Sequence, residues 1–161
     1  MIKFIDVFDC DGVLLSSLHR YRTDKTGQKI DLKYWIDNCT PEKIWLDSPL
    51  PMAEHYKKCL ADSEHYVIIA TARVCQQADF DCIYSKLGKP NKFICRQKGD
   101  SQGGVSLKMA GLRKLINLKQ FQNAAWSVFE DNKAYLNGIC AELATRNIQA
   151  NPIFIQSEQG H

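Results

Sequence analysis

The sequence lacks long apolar stretches. None approaches the ~20 residues that a membrane-spanning helix requires, and the first apolar segment is interrupted by Lys3, Asp6, Asp9 and Asp11. Charges at these positions are not typical of the apolar part of a secretory signal peptide. We therefore expect a cytoplasmic protein without a membrane partner.

Motifs for zinc, redox or triphosphate chemistry are also missing. The seven cysteines are odd in number and widely spread, with no CxxC pair, which favours reduced thiols in a reducing compartment. The absence of a GxxxxGK[ST] loop excludes a P-loop kinase module. Low-complexity tracts and repeats are absent, and 161 residues is the size of one domain, so we expect residues 1–161 to share a single core.

Basic residues are concentrated in one segment, although the net charge is only +3. Between Tyr84 and Lys119 there are nine Lys and Arg and one acid, Asp100, which gives +8. Since Lys and Arg contacts to phosphates dominate nucleic-acid affinity, this segment is compatible with a nucleotide or nucleic-acid partner. The alternative is an ordinary solvated face.

Short apolar segments of strand length alternate with helix-like segments. The predicted strands are residues 2–8, 66–71, 91–96, 126–130 and 152–156. The predicted helices, with apolar residues at helical spacing, are 47–63, 103–119 and 132–147, the first capped by Ser48. Because the strands are apolar on both faces, we predict a doubly wound α/β fold with a mostly parallel five-stranded sheet and helices on both faces.

Acidic residues follow two of these strands directly. Asp9 and Asp11 follow the first strand, and Glu130 and Asp131 end the fourth. In doubly wound sheets the carboxyl ends of the strands meet at one edge, where ligands bind. Carboxylates this close repel each other unless a cation lies between them, and Mg²⁺ prefers oxygen ligands. The pattern therefore favours a magnesium site at this edge.

Two further segments suit a phosphate group. The second strand ends in Thr71, Ala72 and Arg73, which offer a hydroxyl and a run of backbone N–H groups. Lys108 lies near the start of a predicted helix, where its ammonium can neutralise a phosphoryl group.

The ordered segments VFDCDGVLL, VIIATAR, VSLKMAGL and SVFEDNKAY resemble the four motifs of the haloacid dehalogenase (HAD) superfamily of phosphotransferases. The resemblance covers residues 2 to about 140. It implies a HAD-like Rossmannoid fold and a Mg²⁺-dependent phosphomonoester hydrolase that forms an aspartyl-phosphate.

The resemblance also implies a role for each matching residue. Asp9 would be the nucleophile and Asp11 the general acid and base. Asp9, the Asp11 backbone carbonyl and Asp131 would hold the metal ion, with Glu130 the alternative to Asp131. Thr71 and Lys108 would bind the transferring phosphoryl group, with Lys98 the alternative to Lys108. The candidates for substrate binding are Gly12, which permits the tight turn, together with Ala72, Arg73, Arg96 and Lys98.

The substrate class is less well defined. Residues 17–66 are too few for a full cap domain and predict a minimal cap-like insert of short helices. The T-A-R and F-E-D-N forms look like the phosphatase module of polynucleotide kinase-phosphatases, which would place a nucleic-acid terminal phosphate, including a 3′-phosphate, or a nucleotide in the site. The alternatives are a small-metabolite phosphatase and a catalytically silent nucleic-acid-binding module with this fold.

Overall fold

The computed structural model describes residues 1–159 and contains a central parallel sheet. Its strands in chain order, including two short strands outside the central sheet, are β1 (Phe4–Phe8), β2 (Leu15–Ser16), β3 (Ser48–Pro49), β4 (His65–Val74), β5 (Lys92–Arg96), β6 (Ala125–Glu130) and β7 (Asn151–Phe154). The central sheet has the order β5-β4-β1-β6-β7, with every pair parallel, and β2 and β3 form a separate antiparallel pair. The predicted strands and parallel sheet are confirmed.

The order in which the chain adds strands to the sheet reverses next to β1. It passes from β1 outward through β4 to β5, and then returns to place β6 on the other side of β1. The crevice outside the carboxyl ends of such a strand pair is the usual ligand site of doubly wound sheets. The acidic ends of β1 and β6 therefore lie at this topological switch point.

Helices cover both faces of the sheet. They are α1 (Leu32–Asp37), α2 (Pro41–Ile44), α3 (Met52–Ala61), α4 (Gln77–Leu87), α5 (Gly104–Ile116) and α6 (Lys133–Ala144). On one face Ile5 and Val7 of β1 pack with apolar residues of α5 and α6. On the other, Phe8 packs with residues of α3 and α4. Because successive side chains of a strand point to opposite faces, one apolar strand supports both cores.

Two local features differ from the sequence expectation. Ser48 does not cap a helix: it pairs with Ser16 in the β2–β3 ladder, and α3 begins four residues later, after Pro51. Helix α4 was not predicted, because its apolar stripe is weak. It starts with a capping box in which the Gln76 and Asp79 side chains each accept a hydrogen bond from the other residue's backbone N–H.

Most of the insert between β1 and β4 consists of short elements. A 3-10 turn (Leu18–Arg20) and the short helices α1 and α2 precede β3. Helix α3 lies in the same range but packs on the sheet, with Tyr56 fully buried. Within residues 1–159, none of the helices is long and apolar enough to cross a membrane.

Candidate active site

A tight turn after β1 brings its two aspartates to the end of β6. The backbone N–H groups of Val13, Leu14 and Leu15 donate to the Cys10 carbonyl. Gly12 has φ of +78°, and a Cβ atom there would lie 2.1 Å from Asp131 Oδ2. A side chain at this position would therefore be strained and would displace Asp131. Gly12 is the residue that lets the β1 turn approach the acidic end of β6.

Lys108 joins the nucleophile candidate to Glu130. Its Nζ lies 3.0 Å from Asp9 Oδ1 and 2.7 Å from Glu130 Oε2. The lysine is 1% exposed. Burial disfavours its charge, but the two carboxylates outweigh burial and raise the pKa of Lys108 above its ordinary value. The ammonium thus stays charged beside Asp9, where a phosphoryl group would bind.

Asp131 differs from Glu130 in having a bare carboxylate oxygen. Asp131 Oδ2 is buried and has no hydrogen-bond partner among the described residues. Oxygens of Asp9, Glu130 and Asp131 lie within 4.8 Å of one another. A buried carboxylate oxygen needs a partner, and Glu130 already accepts a hydrogen bond from Lys108. Asp131 is therefore the acid with an oxygen available to bind a cation.

The charges of these groups also favour a cation. Burial, and then repulsion from Glu130, raises the pKa of Asp9 to about 8. Burial and repulsion from Asp9 raise that of Asp131 to about 7. Even with the Lys108 ammonium beside Asp9, neither carboxylate ionises as readily as an ordinary aspartate, and a divalent ion would favour the ionised forms.

Asp11 is held by different partners. Arg73 Nε donates to Asp11 Oδ2 at 2.8 Å and Nη2 to Oδ1 at 2.6 Å. The Ser17 hydroxyl donates to Oδ1 at 2.8 Å. Burial opposes ionisation of Asp11, but the guanidinium outweighs it and holds the pKa of Asp11 below its usual value. In this arrangement Asp11 is an ionised carboxylate, and it must leave Arg73 before it can hold and donate a proton.

Arg73 connects Asp11 to a buried ionic network. Its guanidinium also donates to Asp47 at 2.7 Å and to Asp79 at 2.9 Å. Asp47 in turn accepts two hydrogen bonds from Arg20, and both residues are fully buried. The network ties the insert, through Arg20 and Asp47, to the end of β4 and to Asp11. Arg73 therefore lies where it can position Asp11, and its predicted direct contact with substrate stays a prediction.

We expect Asp47→Ala to destabilise the fold by about 3–5 kcal/mol, because it leaves the buried Arg20 guanidinium without a carboxylate and removes one of the three carboxylates that pair with Arg73. Urea unfolding followed by circular dichroism measures the change. Lys33→Ala is the matched control, since the Lys33–Asp37 pair is 86% and 57% exposed and such pairs contribute about 0–1 kcal/mol. Equal effects of the two substitutions would contradict the network's role.

The other phosphate-binding candidates lie at the ends of β4 and β5. Thr71 is buried and its hydroxyl accepts from the Arg73 backbone N–H at 3.2 Å, which leaves the hydroxyl proton available for a phosphate. Arg96 donates to the Ala72 carbonyl at 3.0 Å and to carbonyls of the following loop. Lys98 is exposed in that loop. Arg96 thus shapes the loop that carries Lys98, and direct substrate contacts for Ala72, Arg96 and Lys98 stay predictions.

The basic segment divides between opposite edges of the sheet. Residues 84–92 include the end of α4 and the start of β5, and residues 113–119 include the end of α5. Because these helices connect parallel strands and run against them, both stretches lie at the amino-terminal edge of the sheet, away from the site. Arg96, Lys98 and Lys108 remain at the carboxyl edge. The basic residues between Tyr84 and Lys119 therefore do not form a single positive surface beside the candidate active site.

The segment after β7 contributes residues that sequence reasoning missed. The Gln159 side chain accepts from the Ser17 backbone N–H at 3.0 Å and donates to the Ser17 hydroxyl at 2.7 Å. Ser17 in turn donates to Asp11. The Ser157 hydroxyl lies against Gly12. No local pattern marks these residues, because their partners are more than 140 positions away in the chain.

A cavity of about 320 Å³ borders Gly12 at the turn after β1, and the carboxylates of the site do not line it. Its walls include Gly12, Leu18, Leu50 and residues 156–159. Its volume is within the range of small-ligand sites. The turn after β1, the insert and the segment after β7 therefore enclose a space of suitable size for part of a small substrate.

The fold is that of a HAD domain. The HAD domain of the effector protein Lem4 from Legionella pneumophila has a similar structure, with a TM-score of 0.54 at 12% sequence identity over 97% of this chain and 87% of that one. Residues 1–92 match the family model described as bacteriophage T5 5′-deoxynucleotidase. Because this match covers more than half of the 161 residues, the chain belongs to that family.

A curated relative points to the same family. The 5′-deoxynucleotidase of Escherichia phage T5 is 32% identical over 82 residues, which is 49% of this chain and 33% of the relative. The chain thus matches about a third of the relative's length. The family match includes Asp9, Asp11 and Thr71 and ends before Lys108 and Asp131. The HAD recognition is confirmed, and the likeness to polynucleotide kinase-phosphatases stays a prediction.

Proposed function

We propose that this protein is a Mg²⁺-dependent phosphomonoester hydrolase that acts on a nucleotide, with a deoxynucleoside 5′-monophosphate as its best substrate. The observation that carries the proposal is the convergence of Asp9, Lys108 and Asp131 beside Asp11 at the switch point of the sheet. This arrangement brings together the groups that phosphoryl transfer requires. Asp9 would be the nucleophile, Lys108 its electrostatic partner, Asp131 a metal ligand and Asp11 the proton-transfer group.

The donor set fits a magnesium ion. Asp131 Oδ2 is a buried oxygen without a partner among the described residues, and Mg²⁺ takes one or two carboxylates together with substrate phosphate oxygens. Asp9, Asp131 and the Asp11 backbone carbonyl would hold it. When bound, the ion supplies positive charge that neutralises the phosphoryl oxygens.

In the first half-reaction an Asp9 oxygen attacks phosphorus while the bond from phosphorus to the ester oxygen breaks. Lys108 stabilises the negative charge on the phosphoryl oxygens, and the Thr71 hydroxyl and the following backbone N–H groups orient them. Asp11, released from Arg73 in its protonated form, gives its proton to the departing nucleoside oxygen. The products are an aspartyl-phosphate on Asp9 and a nucleoside.

In the second half-reaction Asp11 is already a carboxylate and accepts a proton from a water molecule. That water attacks phosphorus, the bond between phosphorus and Asp9 breaks, and inorganic phosphate leaves. The hydrogen bonds from Arg73 and Ser17 stabilise Asp11 in the ionised form that this step needs.

Two observations support a nucleotide over other phosphomonoesters. The family is described as a 5′-deoxynucleotidase, and the cavity beside Gly12 has apolar walls at Leu18 and Leu50 that suit a base or deoxyribose. A long single-stranded substrate has less support, because much of the basic segment lies at the opposite edge of the sheet.

A phosphate-release screen in Mg²⁺ tests the substrate class. The panel contains deoxy- and ribonucleoside 5′-monophosphates, oligonucleotides with a 3′- or 5′-phosphate, and sugar phosphates. We expect the highest kcat/KM for a deoxynucleoside 5′-monophosphate. A higher value for an oligonucleotide end would favour nucleic-acid repair, and a higher value for a sugar phosphate would favour small-metabolite hydrolysis. No release from any substrate, together with Mg²⁺-independent nucleic-acid binding, would identify a silent module.

Magnesium binding should depend on pH. Without a cation the pKa of Asp9 is raised to about 8 and that of Asp131 to about 7, so both hold protons at pH 6 and lose them as the pH rises through these values. Since the ion binds the ionised groups, its apparent affinity should increase from pH 6 to pH 8.5. Titration calorimetry in two buffers of different ionisation enthalpy measures both the affinity and the protons released.

Two comparisons accompany this titration. Asp131→Asn should weaken magnesium binding at every pH, and calcium should substitute poorly in turnover because its coordination geometry is less strict. Full activity in excess chelator would contradict the metal assignment. A magnesium affinity that is constant over this pH range would contradict the proposed proton release.

A further inference from the structure

A carboxylate is buried in the middle of β1, away from the proposed active site. Asp6 is 4% exposed, and its neighbours on the same face of the strand are Phe4 and Phe8. It precedes Asp9 by three residues, which is about 10 Å along a strand. A buried carboxylate is costly unless it is paired. The ion pair recorded for Asp6 within residues 1–159 is with His65, at 2.5 Å between Oδ2 and Nδ1.

A thiol and an imidazole converge on this carboxylate. Cys59 lies on the inner face of α3 and is 2% exposed, and His65 begins β4 next to Phe4, whose ring stacks on it at 4.6 Å. One ligand atom from each of Asp6, Cys59 and His65 lies within 4.8 Å of the others. The three donors come from β1, α3 and β4, so their meeting is a product of the tertiary fold.

A second imidazole lies one helical turn from Cys59. His55 precedes Cys59 by four residues on α3, so the two side chains lie on one face of the helix. His55 Nε2 lies 3.5 Å from Cys59 Sγ. That spacing suits two ligands of one zinc ion, but the donor atoms that all lie within 4.8 Å of one another belong to Asp6, Cys59 and His65 and not to His55.

We propose that Asp6, Cys59 and His65 form a second metal site, selective for a borderline transition-metal ion such as Zn²⁺. Sulfur and imidazole donors favour zinc over magnesium, which prefers oxygen alone. Filling the site would hold α3 against β1 and β4, so its expected role is structural. The proposal is independent of the hydrolase proposal, because it uses none of the groups assigned to phosphoryl transfer.

Cobalt titration of chelator-treated protein tests this site. Co²⁺ bound to a thiolate has a charge-transfer absorption that Co²⁺ held by carboxylates alone does not have, so the signal separates this site from the carboxylates around Asp9. We expect one equivalent of Co²⁺ to produce the band and Zn²⁺ to abolish it by displacement. We also expect Zn²⁺ to raise the thermal unfolding midpoint, since it binds the folded state.

Variants assign the ligands. Cys59→Ala should abolish the band, and His65→Gln should weaken Zn²⁺ binding at least ~100-fold, because even outer partners of a metal site contribute 10–100-fold. Cys82→Ala, which removes another buried thiol, and Asp131→Asn should both retain the band. If a ligand variant does not fold, the wild-type titration still decides. Absence of the band in wild-type protein, or its persistence in Cys59→Ala, would overturn the proposal and leave Asp6–His65 as a simple ion pair.

Discussion

Asp9→Asn is expected to abolish phosphate release, with kcat falling on the order of 10⁴-fold or more. The amide is a very poor nucleophile toward phosphorus, and it also removes a charged metal ligand. The fold should persist, because Asn is nearly isosteric with Asp and its side-chain oxygen can still accept from Lys108. Phosphate release from a deoxynucleoside 5′-monophosphate, together with circular dichroism, measures both effects.

Asp37→Asn is the matched control, since Asp37 is an exposed carboxylate on α1 with a surface ion pair to Lys33. It should retain wild-type turnover. A rapid acid quench of the wild-type enzyme should trap phosphate covalently on the protein, and the Asp9→Asn protein should trap none. Wild-type turnover by Asp9→Asn in a preparation free of other phosphatases would refute the assignment of the nucleophile.

Asp11→Asn should slow hydrolysis of a nucleotide by ~100-fold or more, the range for general acid–base catalysis. The amide can keep a hydrogen bond from Arg73 or Ser17 but cannot carry the proton between ester oxygen and water. The loss should be smaller for an aryl phosphate, whose leaving oxygen needs little protonation. Steady-state kinetics on both substrates measure the difference.

The leaving-group comparison also separates two roles of Asp11. Equal losses on the nucleotide and the aryl phosphate would mean that Asp11 acts only through the metal or the fold. A single-turnover experiment then locates the effect, because loss of the acid slows formation of the aspartyl-phosphate and loss of the base slows its breakdown.

The hydrogen bonds to Asp11 suggest how the two steps are balanced. Arg73 and Ser17 stabilise the carboxylate and lower its pKa, which favours the ionised form of Asp11 over the protonated form. A substrate phosphate near the end of β4 would compete with Asp11 for the guanidinium, and Asp11 would then gain a proton more easily. The hydrogen bond from Arg73 to Asp47 would then hold the guanidinium in place while the substrate phosphate displaces Asp11.

Much of the architecture was predictable because it depends on local patterns. Apolar segments of strand length, separated by helical periodicity, predicted a parallel sheet with two covered faces, and the structure has both. The positions of Asp9, Asp11, Glu130 and Asp131 follow directly, since residues just after parallel strands meet at one edge. The expected cap at Ser48 was wrong because cross-strand pairing with Ser16 replaced it.

The partners of the buried charges were not predictable in the same way. Arg20, Asp47 and Gln159 look like ordinary polar residues in the sequence, yet each is buried and hydrogen-bonded to a residue far away in the chain. The basic segment between Tyr84 and Lys119 misled in the other direction. Its Lys and Arg residues are close in sequence, but β5 and the helices beside it carry them to opposite edges of the sheet.

The sequence by itself therefore determined the strand and helix order and which side chains stand at the carboxyl edge of the sheet. These properties depend on side-chain periodicity and on strand ends, which neighbouring residues specify. Only the tertiary structure decided that Glu130 pairs with Lys108, that Asp131 keeps a bare oxygen, and that Asp6 meets Cys59 and His65. The physical reason is that a buried charge is stabilised by whichever partner the packed elements bring within a few ångströms, and that proximity leaves no periodic signal along the chain.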